Sequence, residues 1–200
     1  HGPIVADRRK RVMRIGATIH RYCGLRIDDP DTYIAECRRQ GFRAATCPDH
    51  LLGDSDTIRR IRTEFEKADI VIAEIGGWAN CLDPREDQRR QALKTTCEAL
   101  AVADEIGAVC CITLAGSYCT EKAYGTHPHN FTGEAFDAVV QWVQQVLKDV
   151  KPRRTRLTIE TTPWTTIDSM QAYGQLLEAV DDAGYTAVAD KLTLNIGGMT

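Results

Sequence analysis

The sequence predicts an α/β protein built as a parallel (βα)8 TIM barrel, and three observations carry that prediction. Short β-branched and apolar runs alternate strictly with longer amphipathic stretches. The runs are near-continuously apolar, as strands covered by helices are. Polar or aromatic side chains stand where the runs end, at His20, Glu74, Trp78, Ser117, Glu160 and Asp190. A doubly wound sheet would satisfy the first two observations. Its dinucleotide-binding form needs GxGxxG after the first strand, where this chain reads IGATIHRYCG, and no Walker A segment occurs. The polar strand ends favour the barrel.

Taken in order, residues 12–20 (VMRIGATIH) are a β-rich run. The helix DDPDTYIAECRRQG follows, with Asp29 as N-cap, Pro30 at its first position and Gly41 as its stop. FRAATCP is the second strand and DSDTIRRIRTEFEKAD the second helix. IVIAEIGGW is the third strand. A long helix from about Pro84 to Gly107 comes next, its apolar face traced by Leu93, Cys97, Leu100, Ala101 and residues 103–106. AVCCITLAGSY leads through the polar loop CTEKAYGTHPHN to Thr132, which caps GEAFDAVVQWVQQVLKDV. RLTIETTPW is the fifth strand, Asp168 caps SMQAYGQLLEAVDDAG, and YTAVAD opens as the sixth strand. Six strands and five helices are therefore expected, an incomplete barrel with its last two units missing. The division is a basic leader at 1–11 and the barrel domain at 12–200.

Composition excludes several function classes. With 43% hydrophobic and 26% charged residues, the 200-residue chain is globular and buries a sizeable core. No apolar run reaches the roughly eighteen residues of a membrane span, and HGPIVADRRKR lacks the apolar centre of a secretory signal. The expected setting is the cytoplasm, with no membrane partner. A net charge of −3 offers no basic footprint for nucleic acid. Eight cysteines contain no CxxC pair, so a zinc ribbon is excluded and buried free thiols are expected, Cys47, Cys97 and Cys110 lying within apolar patterns.

Glu160 is the leading site candidate. It ends an apolar strand just before a turn stiffened by Pro163, and a carboxylate at a barrel's C-terminal rim can hold a divalent metal, move a proton, or pair with an arginine. Glu74 precedes Gly76 and Gly77, which let a ligand approach the backbone; its alternative is a buried ion pair. His20 ends the first strand and can bind a hydroxyl or serve as a hydrogen-bonded structural group. Trp78 and Trp164 can wall off the C–H face of a sugar or simply finish the core. His127 and His129 lie too alone in their loop to chelate a metal without a third ligand. Arg153, Arg154 and Arg156 precede strand five and belong to the opposite, stability face.

The segments AEIGGWANCLDP, TLAGSY, HPHNFTGEAFDAVVQWVQQVLKDVKPRRTRLTIETTPW and YTAVAD together resemble the sugar phosphate isomerase/epimerase family of the xylose isomerase-like TIM barrel superfamily, which is related to AP endonuclease family 2. The resemblance runs from about residue 12 to 190, and LTIETTPW is its most specific part. It implies that Glu160 is a metal ligand and proton-transfer group. It also implies that Asp190, as the acid ending strand six, is a second ligand, with a histidine and another glutamate coming from strands seven and eight. Members usually continue after that acid with a nearby proline and asparagine, whereas this chain reads DKLTLNIGGMT with Asn195 displaced. The implied cofactor is a divalent metal, Mn²⁺ first, with Mg²⁺, Co²⁺ or Zn²⁺ as alternatives. The implied reaction moves a proton at a carbon beside a carbonyl, through an enediolate, on a sugar, sugar phosphate or related polyol. Self-association as a homo-oligomer stays open. The competing readings are a catalytically inactive barrel fragment or binding module and, further off, an abasic-site endonuclease.

Overall fold

Six parallel strands lie side by side in the order in which the chain makes them: β1 Gly16–Ala17, β2 Ala44–Thr46, β3 Val71–Gly76, β4 Cys110–Leu114, β5 Arg156–Glu160 and β6 Leu192–Asn195. The computed structural model describes residues 14–19, 29–48, 54–122, 124–182 and 192–195. Five α-helices alternate with the strands: α1 Pro30–Gln40, α2 Ser55–Ala68, α3 Glu86–Ile106, α4 Gly133–Val150 and α5 Met170–Asp182. Each helix packs on the next one along the chain. A doubly wound sheet reverses its strand order partway; this one never does. With crossovers of one hand, every helix falls on one face, and the sheet curls around its other face as a barrel does.

The helices form where the local chemistry specifies them. Asp29 accepts the Thr32 N–H at 2.9 Å, Pro30 opens α1, and Gly41 ends it in the left-handed region at φ 78°. Asp54 caps α2 through Thr57, and Thr132 caps α4 through the Ala135 N–H at 3.2 Å. The apolar stripes of these helices meet Ile75, Cys111, Leu157 and Ile159 in one continuous core. Ile112 and Leu114 are buried outside that cluster, alternating along β4 with its members and so pointing inward.

Two sequence expectations are corrected, and one lies outside the described residues. The cap of α5 is Ser169, whose Oγ accepts the Ala172 N–H at 3.2 Å; the cap position lies three residues before that amide, and Asp168 is one too early. A strand at Leu192–Asn195 pairs with β5 through Leu157↔Leu192 to Glu160↔Asn195, while YTAVAD, residues 185–190, lies outside the described residues. Ala101 is exposed, and the buried face of α3 runs instead through Ala92, Thr96, Ala99, Leu100, Val102, Ala103 and Ile106. The basic leader also lies outside the described residues. No helix among the described residues is long and apolar enough to cross a membrane, and the seven described cysteines are all free thiols.

At the closed end of the sheet, the backbone N–H groups of Arg153, Arg154 and Thr155 converge on Asp104 Oδ1, at 2.7 Å from Arg153 and 3.1 Å from Thr155. Burial alone would raise this carboxyl, but the three N–H donors, helped by the Arg154 charge, hold it below its ordinary value. Asp104→Ala should therefore cost about 2 kcal/mol. Because the folded carboxyl is depressed, the wild-type advantage is complete above the ordinary aspartate range and lost as pH falls through the lower folded value. Urea unfolding of both proteins at neutral and acidic pH checks this, and equal stability of the two at neutral pH would refute it.

Candidate active site

Of the carboxylates singled out in sequence, Glu160 closes β5 at its C-terminal end and Glu74 lies two residues before the end of β3. Glu74, in β3, pairs across to Cys110, and Glu160, the last residue of β5, stands between Leu114 and Asn195. Both carboxylates are partly buried, and neither has a hydrogen-bond or ion-pair partner among the described residues. Burial raises both carboxyls above the ordinary glutamate value, and the charge of Glu74 adds to the rise at Glu160. Among the described residues, neither the buried ion pair that was the alternative for Glu74 nor the arginine partner that was the alternative for Glu160 is present. Two uncompensated carboxylates in one field favour whatever brings positive charge between them, a proton or a cation.

The two tryptophans flank this pair. Trp78 is 50% exposed, and its indole folds back over the end of β3. A Cβ added at Gly76 would sit 2.5 Å from Trp78 Nε1, so only glycine lets the ring lie there. Trp164, 38% exposed, follows Glu160 in a turn closed by the Thr165 N–H on the Thr162 carbonyl at 3.1 Å. His20 lies outside the described residues. So does Asp190; among the described residues, Asn195 of β6 stands beside Glu160.

Sequence reasoning missed what holds this rim. Asn130, fully buried, donates from Nδ2 to the Trp164 carbonyl at 2.9 Å, to Ser117 Oγ at 3.0 Å and to the Gly125 carbonyl at 3.2 Å, and its Oδ1 accepts the Tyr118 N–H at 3.0 Å. Asn80 Oδ1 accepts the Ser117 N–H at 2.7 Å and its Nδ2 donates to the Ser117 carbonyl at 2.8 Å. Ser117 is thus part of the brace between the β4 and β5 loops and is not aimed at a ligand. Asn130 has no periodic signature because its partners are mostly backbone groups, one of them 34 positions away. His127 and His129 serve the same loop: His127 Nδ1 accepts the His129 N–H at 3.2 Å, and the His129 ring meets Tyr118 edge-on at 4.4 Å.

Gly116 completes the brace in the left-handed region at φ 81°, where a Cβ would meet Asn80 Oδ1 at 2.6 Å and the Leu82 N at 2.9 Å. Strain and overlap with backbone act together there. Gly116→Ala is expected to lose about 3 kcal/mol in chemical denaturation; a loss within error of zero would mean that the turn can relax.

A one-directional parallel barrel with carboxylates and aromatic walls at the C-terminal strand ends defines the class of α/β barrels whose chemistry sits at that face. The match of residues 34–191 to the xylose isomerase-like TIM barrel family covers most of the chain, and the chain belongs to that family. No curated protein matches it in sequence. Among solved structures it is similar to the D-psicose 3-epimerase of Clostridium cellulolyticum H10, crystallised with D-tagatose, at TM-score 0.66 and 15% identity over 91% of this chain and 62% of that one. It is also similar to the probable 3-DHS dehydratase of Bacillus anthracis, at TM-score 0.65 and 17% identity over 92% and 62%. A third similar structure is a xylose isomerase-like TIM barrel protein of Mycobacterium smegmatis in complex with magnesium, at 0.61 and 16% over 92% and 64%. At these identities the likeness is one of fold, and the chain spans less than two thirds of the length of each.

Proposed function

We propose that the protein is a metal-dependent isomerase or epimerase of a sugar or related polyol, with Glu160 as metal ligand and proton-transfer group. The observation that carries this reading is the partly buried Glu160 carboxylate, without a partner among the described residues and in the field of Glu74. The donor chemistry fits a divalent cation, since carboxylates are hard oxygen ligands. No group of three metal-ligating side chains forms among the described residues, so Glu160 supplies only part of the coordination. When bound, the metal stabilises the negative charge that develops on a carbonyl oxygen as the adjacent C–H is deprotonated.

The chain's own residues do the rest. Glu160, its carboxyl raised by burial and by Glu74, is suited to accept and return a proton. Glu74 lies toward the substrate from β3, Trp78 and Trp164 shield its apolar face from water, and His20 adds a hydroxyl contact from the first strand. An acidic mouth speaks against an abasic-site endonuclease, which must attract phosphates. The alternative is a non-catalytic binding barrel. The decisive test is Mn²⁺ and Mg²⁺ calorimetry on the full-length protein, together with NMR detection of sugar C–H exchange in D2O. Divalent binding with exchange supports the isomerase; a folded protein that shows neither is a binding barrel.

A further inference from the structure

Beside the mouth, on the outer side of the β3–α3 loop, lies an open cleft of about 320 Å³ bordered by Trp78, Asp83, Arg85, Gln88, Gln91 and Thr120. Trp78 therefore borders two spaces at once, since the same indole lies over Gly76 at the strand end. We propose that this cleft is a second sugar subsite, so that the substrate of the mouth is a glycoside or disaccharide whose outer residue lies across Trp78. The proposal rests on the sugar isomerase reading for what occupies the mouth, but not for the cleft itself.

The lining has the chemistry of a neutral polyhydroxyl site. Asp83 and Arg85 cancel each other in a two-point pair, Nε to Oδ1 and an Nη to Oδ2 both at 2.8 Å, with the Arg85 N–H adding a third bond to Oδ1 at 2.9 Å. Only 8% of the Asp83 side chain is exposed, so the pair is a fixed floor that offers no net charge to an anion or a cation. The remaining polar groups are amides and hydroxyls. Gln88 and Gln91 stand exposed on the first turns of α3, held only by contacts along their own helix, to Asp87 at 3.1 Å and to Thr95 Oγ1 at 3.2 Å. A sugar's hydroxyls can take over such exchangeable bonds, while the half-exposed indole takes its C–H face. An apolar ligand would strand the amides, and a phosphate would have to share the guanidinium with Asp83.

The test uses the full-length protein, its Glu160→Gln variant and a Gln88→Ala/Gln91→Ala double variant, with calorimetric titration of glucose, galactose, maltose, cellobiose and lactose. At least one disaccharide is expected to bind about tenfold tighter than its monomers, or better, to wild type and Glu160→Gln alike, and to lose that gain in the double variant. Both glutamines are exposed, so the variant keeps its fold, which its melting curve verifies. A disaccharide no tighter than its monomers, a gain that survives in the double variant, or no binding of any of the five sugars overturns the subsite. Failure of the isomerase reading registers separately, as absent C–H exchange with the disaccharide gain intact.

Discussion

Replacing Glu160 by glutamine is expected to lower turnover of the sugar substrate in the full-length protein by about a thousandfold or more, and to weaken divalent metal binding, without unfolding the barrel. The amide keeps the size and hydrogen-bonding reach of the carboxylate but can neither hold a proton in reserve nor supply negative charge to a cation. Stability should move the other way. Burial and the neighbouring Glu74 raise the folded carboxyl, so the charged side chain is a burden on the metal-free native state. For a raised carboxyl, the native state binds the extra proton, and the burden is complete above the folded value and vanishes below the unfolded one. Glu160→Gln should accordingly be more stable than the metal-free wild type at neutral pH, and the difference should close as pH falls into the ordinary glutamate range. Denaturant midpoints of both proteins across that range, in the presence of a chelator, read this directly. A variant less stable than wild type at neutral pH would mean that Glu160 has a positive partner, and the metal reading of the site would fall with it.

The second large effect is expected at Asn130. Its side chain ties the Trp164 and Gly125 carbonyls, the Ser117 hydroxyl and the Tyr118 N–H into one buried knot. Asn130→Ala leaves several of these groups buried without a partner, and a loss of about 3 kcal/mol or more follows. Asn130→Asp separates the two halves of the amide: the oxygen can still accept from Tyr118, but the donor to Trp164 and Gly125 is gone and a charge faces their carbonyls. It should cost at least as much as alanine. Because the knot sets the loop that follows Glu160, both variants should also red-shift tryptophan emission as Trp164 gains water. Wild-type stability of Asn130→Asp would show that the donor contacts carry no weight.

Much of the architecture was legible in the residues because helix caps and strand runs are local. Asp29 and Pro30, Gly41 and Thr132 act on amides or turns three or four positions away, and the structure realises each where the sequence places it. Glu160 was legible for a similar reason, as one charged letter ending an apolar run before a proline. The strand at Leu192–Asn195 was not legible, because it is defined by its register against β5, which no local pattern encodes.

What the sequence alone determined is the alternation of strand and helix, the family, and the carboxylate at the end of β5. Only the tertiary structure decided that Glu74 and Glu160 stand in one field with no counter-charge among the described residues, that Asn195 stands beside Glu160, and that Asn80, Ser117 and Asn130 brace the rim. These depend on contacts between residues tens of positions apart. A side chain's partners there are set by how strands register and loops meet, and the free energy of a buried polar group is decided by those partners rather than by its neighbours in the chain.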